Sequence, residues 1–306
     1  MNKNYVLETY ALSKKYKDRF AVKDVNMHVE EGDIYGFVGE NGAGKTTIIR
    51  LVLGLANASS GRYALFGVNS ANKEISLKRK MVSGIVESVT ISRSLTAIDN
   101  LKVECLVTDT KKTDEELIAL LEKVGLNYEE IKNKKAGDFS LGMRQRLGLA
   151  TCLVSNPRLI LLDEPMNGLD PQGFVDVREI IMKLNQEGVT FLISSHILSE
   201  LDKICNRIGI ISHGKLLEEI TIDELHKKSR KRLVIEASDV NALKELIMSN
   251  MDLQEVEIED NSLVIYDNVD INKIMAILVN NKFTIDKIGL QEDTIEDYYI
   301  NALKRG

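Results

Sequence analysis

The chain of 306 residues contains only three cysteines, Cys105, Cys152 and Cys205. They are too far apart for the paired spacing of a zinc site, and nothing suggests disulfides, so they read as core thiols in a reducing compartment. No apolar run approaches the roughly 20 residues needed to cross a bilayer. The opening MNKNYVLETY lacks the basic and apolar blocks of a signal peptide. The sequence therefore predicts a soluble, cytosolic chain, and any membrane-spanning part of its work must come from another polypeptide. An excess of positive charge is missing too. A net charge of -6 repels polyanions at long range, so no nucleic-acid partner is expected. Internal repeats, heptads and low-complexity segments are also absent. What remains, 44% hydrophobic and 28% charged residues, is enough for one large domain and one small one.

The most informative stretch is IYGFVGENGAGKTTIIRLVLG. An apolar strand (Ile34 to Val38) leads into a glycine-rich loop, and an apolar-periodic helix follows from Lys45 to about Leu53. Gly39, Gly44, Lys45 and Thr46 match G-x-x-x-x-G-K-[ST] in the required strand-loop-helix context. Glycines at 39, 42 and 44 let the backbone, with Glu40, Asn41, Ala43 and Thr47, wrap so that successive N–H groups point at phosphates. Lys45 would bridge the β and γ phosphates, and the Thr46 hydroxyl would ligate Mg²⁺.

A second element is RLILLDEP, a buried strand ending in two carboxylates. Open α/β sheets bind ligands at the carboxyl ends of their strands, so Asp163 can hold Mg²⁺ through water while Glu164 faces the γ-phosphate. Glu164 is then the general base, or the group that orients the attacking water. A third element is FSLGMRQRLGLA. Ser140 is a good N-cap for a helix beginning near Leu141, with Leu147, Ala150, Thr151 and Val154 on one buried stripe. The first turn, with no side chain at Gly142, is a candidate anion site.

In order, GENGAGKTT, FSLGMRQR, LILLDEP, NGLD and SSH resemble the ATP-binding cassette (ABC) ATPases, over residues from about Tyr5 to about Glu219. The resemblance implies that Ser140, Gly142 and Met143 cap the γ-phosphate bound by a second, head-to-tail subunit. Leu141 and Met143 replace the glycine and glutamine of the usual L-S-G-G-Q signature. That departure resembles the F-S-L-G-M subgroup, which includes ATPases of bacitracin-type and other antimicrobial-peptide exporters. The resemblance further places Tyr16 against adenine and Glu87 at the family's Q-loop glutamine, where it could ligate Mg²⁺. It makes Asp170 the D-loop residue that reaches across the dimer, although Asp170 before Pro171 also suits a plain helix cap. His196 would be the switch histidine that hydrogen-bonds the γ-phosphate. His28, His213 and His226 receive only structural readings, with His213-Gly214 in a hairpin turn.

The expected architecture is α/β: a P-loop NTPase core of ABC type with an antiparallel β flap, a helical signature subdomain and a small C-terminal α/β accessory domain. The ABC ATPase domain is expected over 1–226, with its helical subdomain at about 88–155, and the accessory domain over 232–306. Short flap strands are expected around Val6 to Thr9 and Val25 to Val29. The run KKSRKR is expected to be a solvated linker. The accessory domain should read strand, helix, strand, strand, helix, strand, helix, with Asp239 and Asp270 as caps and Asp260-Asn261 as a turn. With one phosphate loop and one signature per chain, the resemblance implies an ATP- and Mg²⁺-dependent dimer, most simply a homodimer. It would be the motor subunit of a transporter whose transmembrane permease is a separate chain, placing it on the inner face of the membrane. A soluble ABC ATPase acting on ribosomes or DNA is the alternative.

Overall fold

The computed structural model describes residues 4–228, 231–292 and 295–305. It divides into two compact units, one running to Ile222 and including the last turn from Ala302, the other spanning Asp223 to Asn301. Among the described residues no helix is long and apolar enough to cross a membrane.

The first unit is organised around a six-stranded sheet ordered 215–221, 207–212, 34–38, 190–195, 159–163, 82–85. All its neighbours run parallel except the hairpin of 207–212 with 215–221, whose turn is His213-Gly214. The central strands Ile34–Val38, Leu159–Asp163 and Thr190–Ser195 are buried at every position, as expected for a parallel sheet covered on both faces. Register then fixes the site. Val38 pairs with Ser195, and Asp163 pairs with Ser194, so Gly39, Glu164 and His196 all leave the sheet at the same edge.

The flap departs from the expected pair of short strands. Tyr5–Tyr16 is one long strand; Arg19–Val25, His28–Glu30 and Ser60–Leu65 pair with it in antiparallel fashion. The expected strand Val25 to Val29 is broken at Asn26-Met27. There the Asn26 side chain accepts from the Ala11 amide at 2.8 Å, and the Thr9 hydroxyl accepts from the Met27 amide at 2.8 Å. Register shifts on either side of Lys14 bend the long strand, and such irregularities hide a strand's alternation from sequence reading.

Helices Ala97–Val107, Asp114–Lys123, Tyr128–Ile131 and Leu141–Leu153 form the segment expected to be helical. Thr113 and Glu116 close a reciprocal capping box on the second, and Gly125, at φ 70, follows its last turn. The signature helix buries Leu147, Ala150 and Val154 as its stripe predicts, while Thr151 is half-buried with its hydroxyl on the Gly148 carbonyl at 2.7 Å.

The second unit has four antiparallel strands ordered 256–259, 262–265, 231–236, 287–292. Its sequence order is strand, helix, strand, strand, helix, strand, helix, a βαββαβ topology of the ferredoxin-like kind extended by one helix. Asp239 accepts from the Ala242 amide at 3.0 Å and Asp270 from the Asn272 amide at 2.9 Å. Asp260, at φ 50, sits in the hairpin turn. The run KKSRKR is no plain linker. Helix Ile222–Lys228 takes its first two residues, and strand Lys231–Glu236 takes its last two. Ser229 and Arg230 lie outside the described residues. The Arg232 guanidinium is mostly buried, with Asp297 at 3.4 Å and Glu259 at 3.8 Å as its carboxylate partners.

Cys152 and Cys205 are buried, and burial pushes the Cys152 thiol up to about 12 and the Cys205 thiol further in the same direction. Cys105 is half-buried, its thiol raised by the same cause. Alkylation of the native protein at pH 8 is therefore expected to label Cys105 alone on the time scale of minutes, with all three labelled in denaturant. Fast native labelling of Cys152 or Cys205, read by peptide mass mapping, would contradict the core placement.

Candidate nucleotide site

The phosphate loop lies between strand Ile34–Val38 and helix Lys45–Val52. Gly44 is the helix N-cap at φ 115 and provides no side-chain cap, so the first-turn amides face outward without a side-chain acceptor. That arrangement is suited to an anion. A Cβ at Gly44 would come within 2.7 Å of the Ala21 carbonyl and would also require a conformation costly for any other residue. The flap strand thus presses on the loop from behind, and Ala21, which sequence reading did not single out, lines the open pocket. Its other walls are Glu40, Asn41, Gly42, Gly44, Lys45, Thr46, Thr47 and Glu164.

The charged groups form one connected network. Lys45, only 5% exposed, donates from Nζ to the Gly39 carbonyl at 2.6 Å and the Glu40 carbonyl at 3.3 Å. Its Nζ also lies 3.3 Å from Glu164 Oε1. Apart from that ion pair, Glu164 Oε1 is buried and accepts no hydrogen bond, which leaves an oxygen with spare acceptor capacity on a pocket-lining residue. Glu164 Oε2 lies 2.7 Å from His196 Nδ1. Glu164 itself is held at φ 49, a left-handed conformation rarely adopted by a residue with a long side chain. Its amide reaches both the carbonyl and the hydroxyl of Ser194 at 3.1 Å.

Asp163 is buried, with Oδ2 accepting from the Thr46 hydroxyl at 2.8 Å and Oδ1 from the Ser194 hydroxyl at 2.6 Å. Sequence reading missed Ser194. Its one signal was a pair of serines closing the apolar run VTFLISS, of which the strand Thr190–Ser195 proves buried at every residue. Thr46 and Asp163 are hard oxygen donors of the kind Mg²⁺ takes. Among the described residues no group of three or more His, Cys, Asp or Glu makes a self-sufficient metal site. One hydroxyl and one carboxylate suit an ion that completes its shell with water and phosphate oxygens. The residues present therefore fit a magnesium nucleotide.

The remaining expected residues are the loop's supports, which include Gly39, and positions away from this cluster. Gly39 and Ala43 support the loop from beneath; a Cβ at Gly39 would strike the Ile211 carbonyl at 2.4 Å. Tyr16, at the exposed end of its strand, has Lys14 Nζ 4.9 Å from its ring centroid. Glu87 is exposed and bound to Arg50 Nη2 at 2.7 Å, not to the Thr46 and Asp163 pair. Ser140 accepts from the Met143 amide at 3.2 Å as a helix cap, and Asp170 does the same for Gly173 at 3.0 Å. Ser140 and Asp170 are exposed, Gly142 and Met143 half-buried, and none of the four lines the pocket.

Residues 22–167 match the family described as ABC transporter. The chain is 40% identical over 305 residues to the bacitracin transport ATP-binding protein BcrA of Bacillus licheniformis, covering 98% of both chains. It is 38% identical over 218 residues to the lantibiotic transport ATP-binding protein SrtF of Streptococcus pyogenes, covering 71% of this chain and 92% of that one. Among solved structures, cbiO1 of Clostridium perfringens superposes with a TM-score of 0.65 at 23% identity, covering 74% and 92% of the two chains. The ADP- and Pi-bound dimer of the cassette MJ0796 superposes with a TM-score of 0.64 at 22% identity, covering 71% and 98%.

Ser194 holds the Asp163 carboxylate with its hydroxyl and anchors the backbone amide of Glu164. Ser194→Ala is expected to lower ATP turnover roughly ten- to hundredfold, the usual loss when an outer partner of a metal-side carboxylate is removed. Nucleotide binding should change far less; unchanged turnover would show that Asp163 needs no such support. With the phosphate loop, the paired carboxylates and the full-length likeness to BcrA in place, the chain belongs to the ABC transporter family, as an ATP-binding subunit whose ATP hydrolysis is coupled to transport.

Proposed function

We propose that the protein works as an ATP-driven dimer, most simply a homodimer, that powers a separate transmembrane permease on the inner face of the membrane. The cargo proposed is an antimicrobial peptide or similar amphiphile moving outward. The observation that supports the dimer is the incompleteness of the pocket. Lys45, Thr46 and Glu164 line it, whereas Ser140 and Gly142 stand at a surface elsewhere on the same chain. A cap over the γ-phosphate would then come from the partner's signature helix, with Asp170 beside it. The cargo reading rests on the likeness to BcrA and SrtF, whose names specify bacitracin and lantibiotic transport.

In this reading Gly39 to Thr47 cradle the phosphates, Tyr16 stacks on adenine, and Thr46, Asp163 and Glu87 are the residues that hold Mg²⁺. Magnesium supplies charge neutralisation for the developing phosphate oxyanions. Glu164, whose Oε1 lies against Lys45 with acceptor capacity to spare, positions and deprotonates the attacking water, while His196 fixes the carboxylate by donating from Nδ1 and, as the doubly protonated imidazolium, donates from its other ring nitrogen to the γ-phosphate. We also propose ABC ATPase and accessory domains over 1–226 and 232–306, close to the division between the two compact units, with helical subdomain 88–155.

Glu164→Gln keeps the shape of the site and removes the base. It is expected to produce a stable dimer in ATP, measured by sedimentation, that Gly142→Asp in the same chain abolishes. A Glu164→Gln protein that stays monomeric in saturating ATP would rule out the composite site. Lys45→Ala is expected to lose ATP binding itself, since it removes the one buried cation among the pocket-lining residues, and calorimetric affinity within about threefold of wild type would contradict its role.

A further inference from the structure

Glu87 stands out in three independent ways. It is a charged residue where the family resemblance expects a neutral glutamine. Its backbone is at φ 61, and the amide of Ser88 reaches back to the carbonyl of Val86 at 2.6 Å, closing a three-residue turn around it. This γ-type turn is a rare and costly conformation for a residue with a side chain. Finally, its carboxylate is held by Arg50 at 2.7 Å. Arg50 lies on the phosphate-loop helix, four residues after Thr46. Residues i and i+4 share one helix face about 5–6 Å apart at Cβ, so Arg50 parks the carboxylate one turn behind the hydroxyl that meets Asp163.

We propose that Arg50 is a positioning residue that competes with the nucleotide's magnesium for Glu87, making the bend at 86–88 respond to the metal. The inference rests on reading Glu87 as a metal-side residue. A third carboxylate drawn toward Asp163 and Glu164 would raise like-charge repulsion if no cation lay between them. The Arg50 guanidinium gives Glu87 another partner. A divalent ion at Thr46 and Asp163 offers the carboxylate a stronger one, and relief of the turn adds to the pull. A neutral glutamine has no such charge to trade, so the device follows from the departure at position 87. Both members of the pair are substantially exposed, at 39% and 63%, so the competition is weak and reversible.

The test uses the full chain carrying Glu164→Gln, so that nucleotide is bound and not consumed. Mg²⁺ is titrated at fixed ATP, reading binding of a fluorescent ATP analogue together with amide exchange at Ser88. Arg50→Gln is expected to lower the Mg²⁺ midpoint about two- to fivefold, the span of an exposed ion pair, with Arg50→Lys near wild type. Glu87→Gln should raise the midpoint and cancel the effect of Arg50→Gln, and Mg²⁺ should change Ser88 exchange only when Glu87 is present. An equal shift from Arg50→Gln with and without Glu87 would overturn the proposal. If Glu87→Gln moves the midpoint and Arg50→Gln does not, the competition is wrong and the metal reading survives. If neither moves it, both fall.

Discussion

The parallel register of three buried strands is the constraint on which the rest depends. Val38 opposite Ser195 and Asp163 opposite Ser194 bring a glycine loop, two carboxylates and a histidine to one sheet edge. A slip of one residue between strands 159–163 and 190–195 would turn Asp163 to the opposite face, and a slip between 34–38 and 190–195 would displace the loop that carries Thr46 from it. The complete burial of these strands holds the register, since every side chain of Ile34–Val38, Leu159–Asp163 and Thr190–Ser195 packs in the core. Chemistry at the edge is thus set by packing in the interior. The strained Glu164 backbone fits the same logic: its amide is pinned by Ser194 on the neighbouring strand, and its side chain lines the pocket with Oε1 against Lys45.

Charge within the pocket is balanced by very few groups. Lys45 is buried, yet it is satisfied by the Gly39 and Glu40 carbonyls and by Glu164. A triphosphate replaces carbonyl and carboxylate partners with stronger charge-assisted ones, so binding gains without the cost of an unpaired cation. Such a site exchanges partners and does not have to create charge in a dry interior. The Arg50 and Glu87 pair extends the same economy to the loop beyond strand Val82–Ile85.

Much of this was legible in the sequence because the signals are local. Gly39 to Thr47 sit between a strand and a helix, Asp163 and Glu164 end an apolar run, and Ser140 and Asp170 cap helices at the positions their residue types favour. The C-terminal element order, including both aspartate caps, was readable for the same reason. What escaped was tertiary. Ser194 serves a carboxylate 31 residues away, Arg50 meets Glu87 across 37 residues, and Ala21 reaches the loop only because the flap folds onto it. The flap strands were misjudged because bulges around Lys14 and the break at Asn26-Met27 erase the alternation that marks a strand. The linker at KKSRKR was misjudged because basic side chains can find carboxylates on other elements of the same unit, as Arg232 does with Asp297 on helix Ile295–Arg305.

The central claim is that one chain builds a nucleotide site it cannot close alone. The most direct measurement is ATP turnover per chain as a function of protein concentration, from well below to well above the point of association. The account predicts that specific activity collapses on dilution and rises cooperatively toward a plateau. Constant activity per chain at every dilution, in a preparation shown to be monomeric throughout, would contradict it.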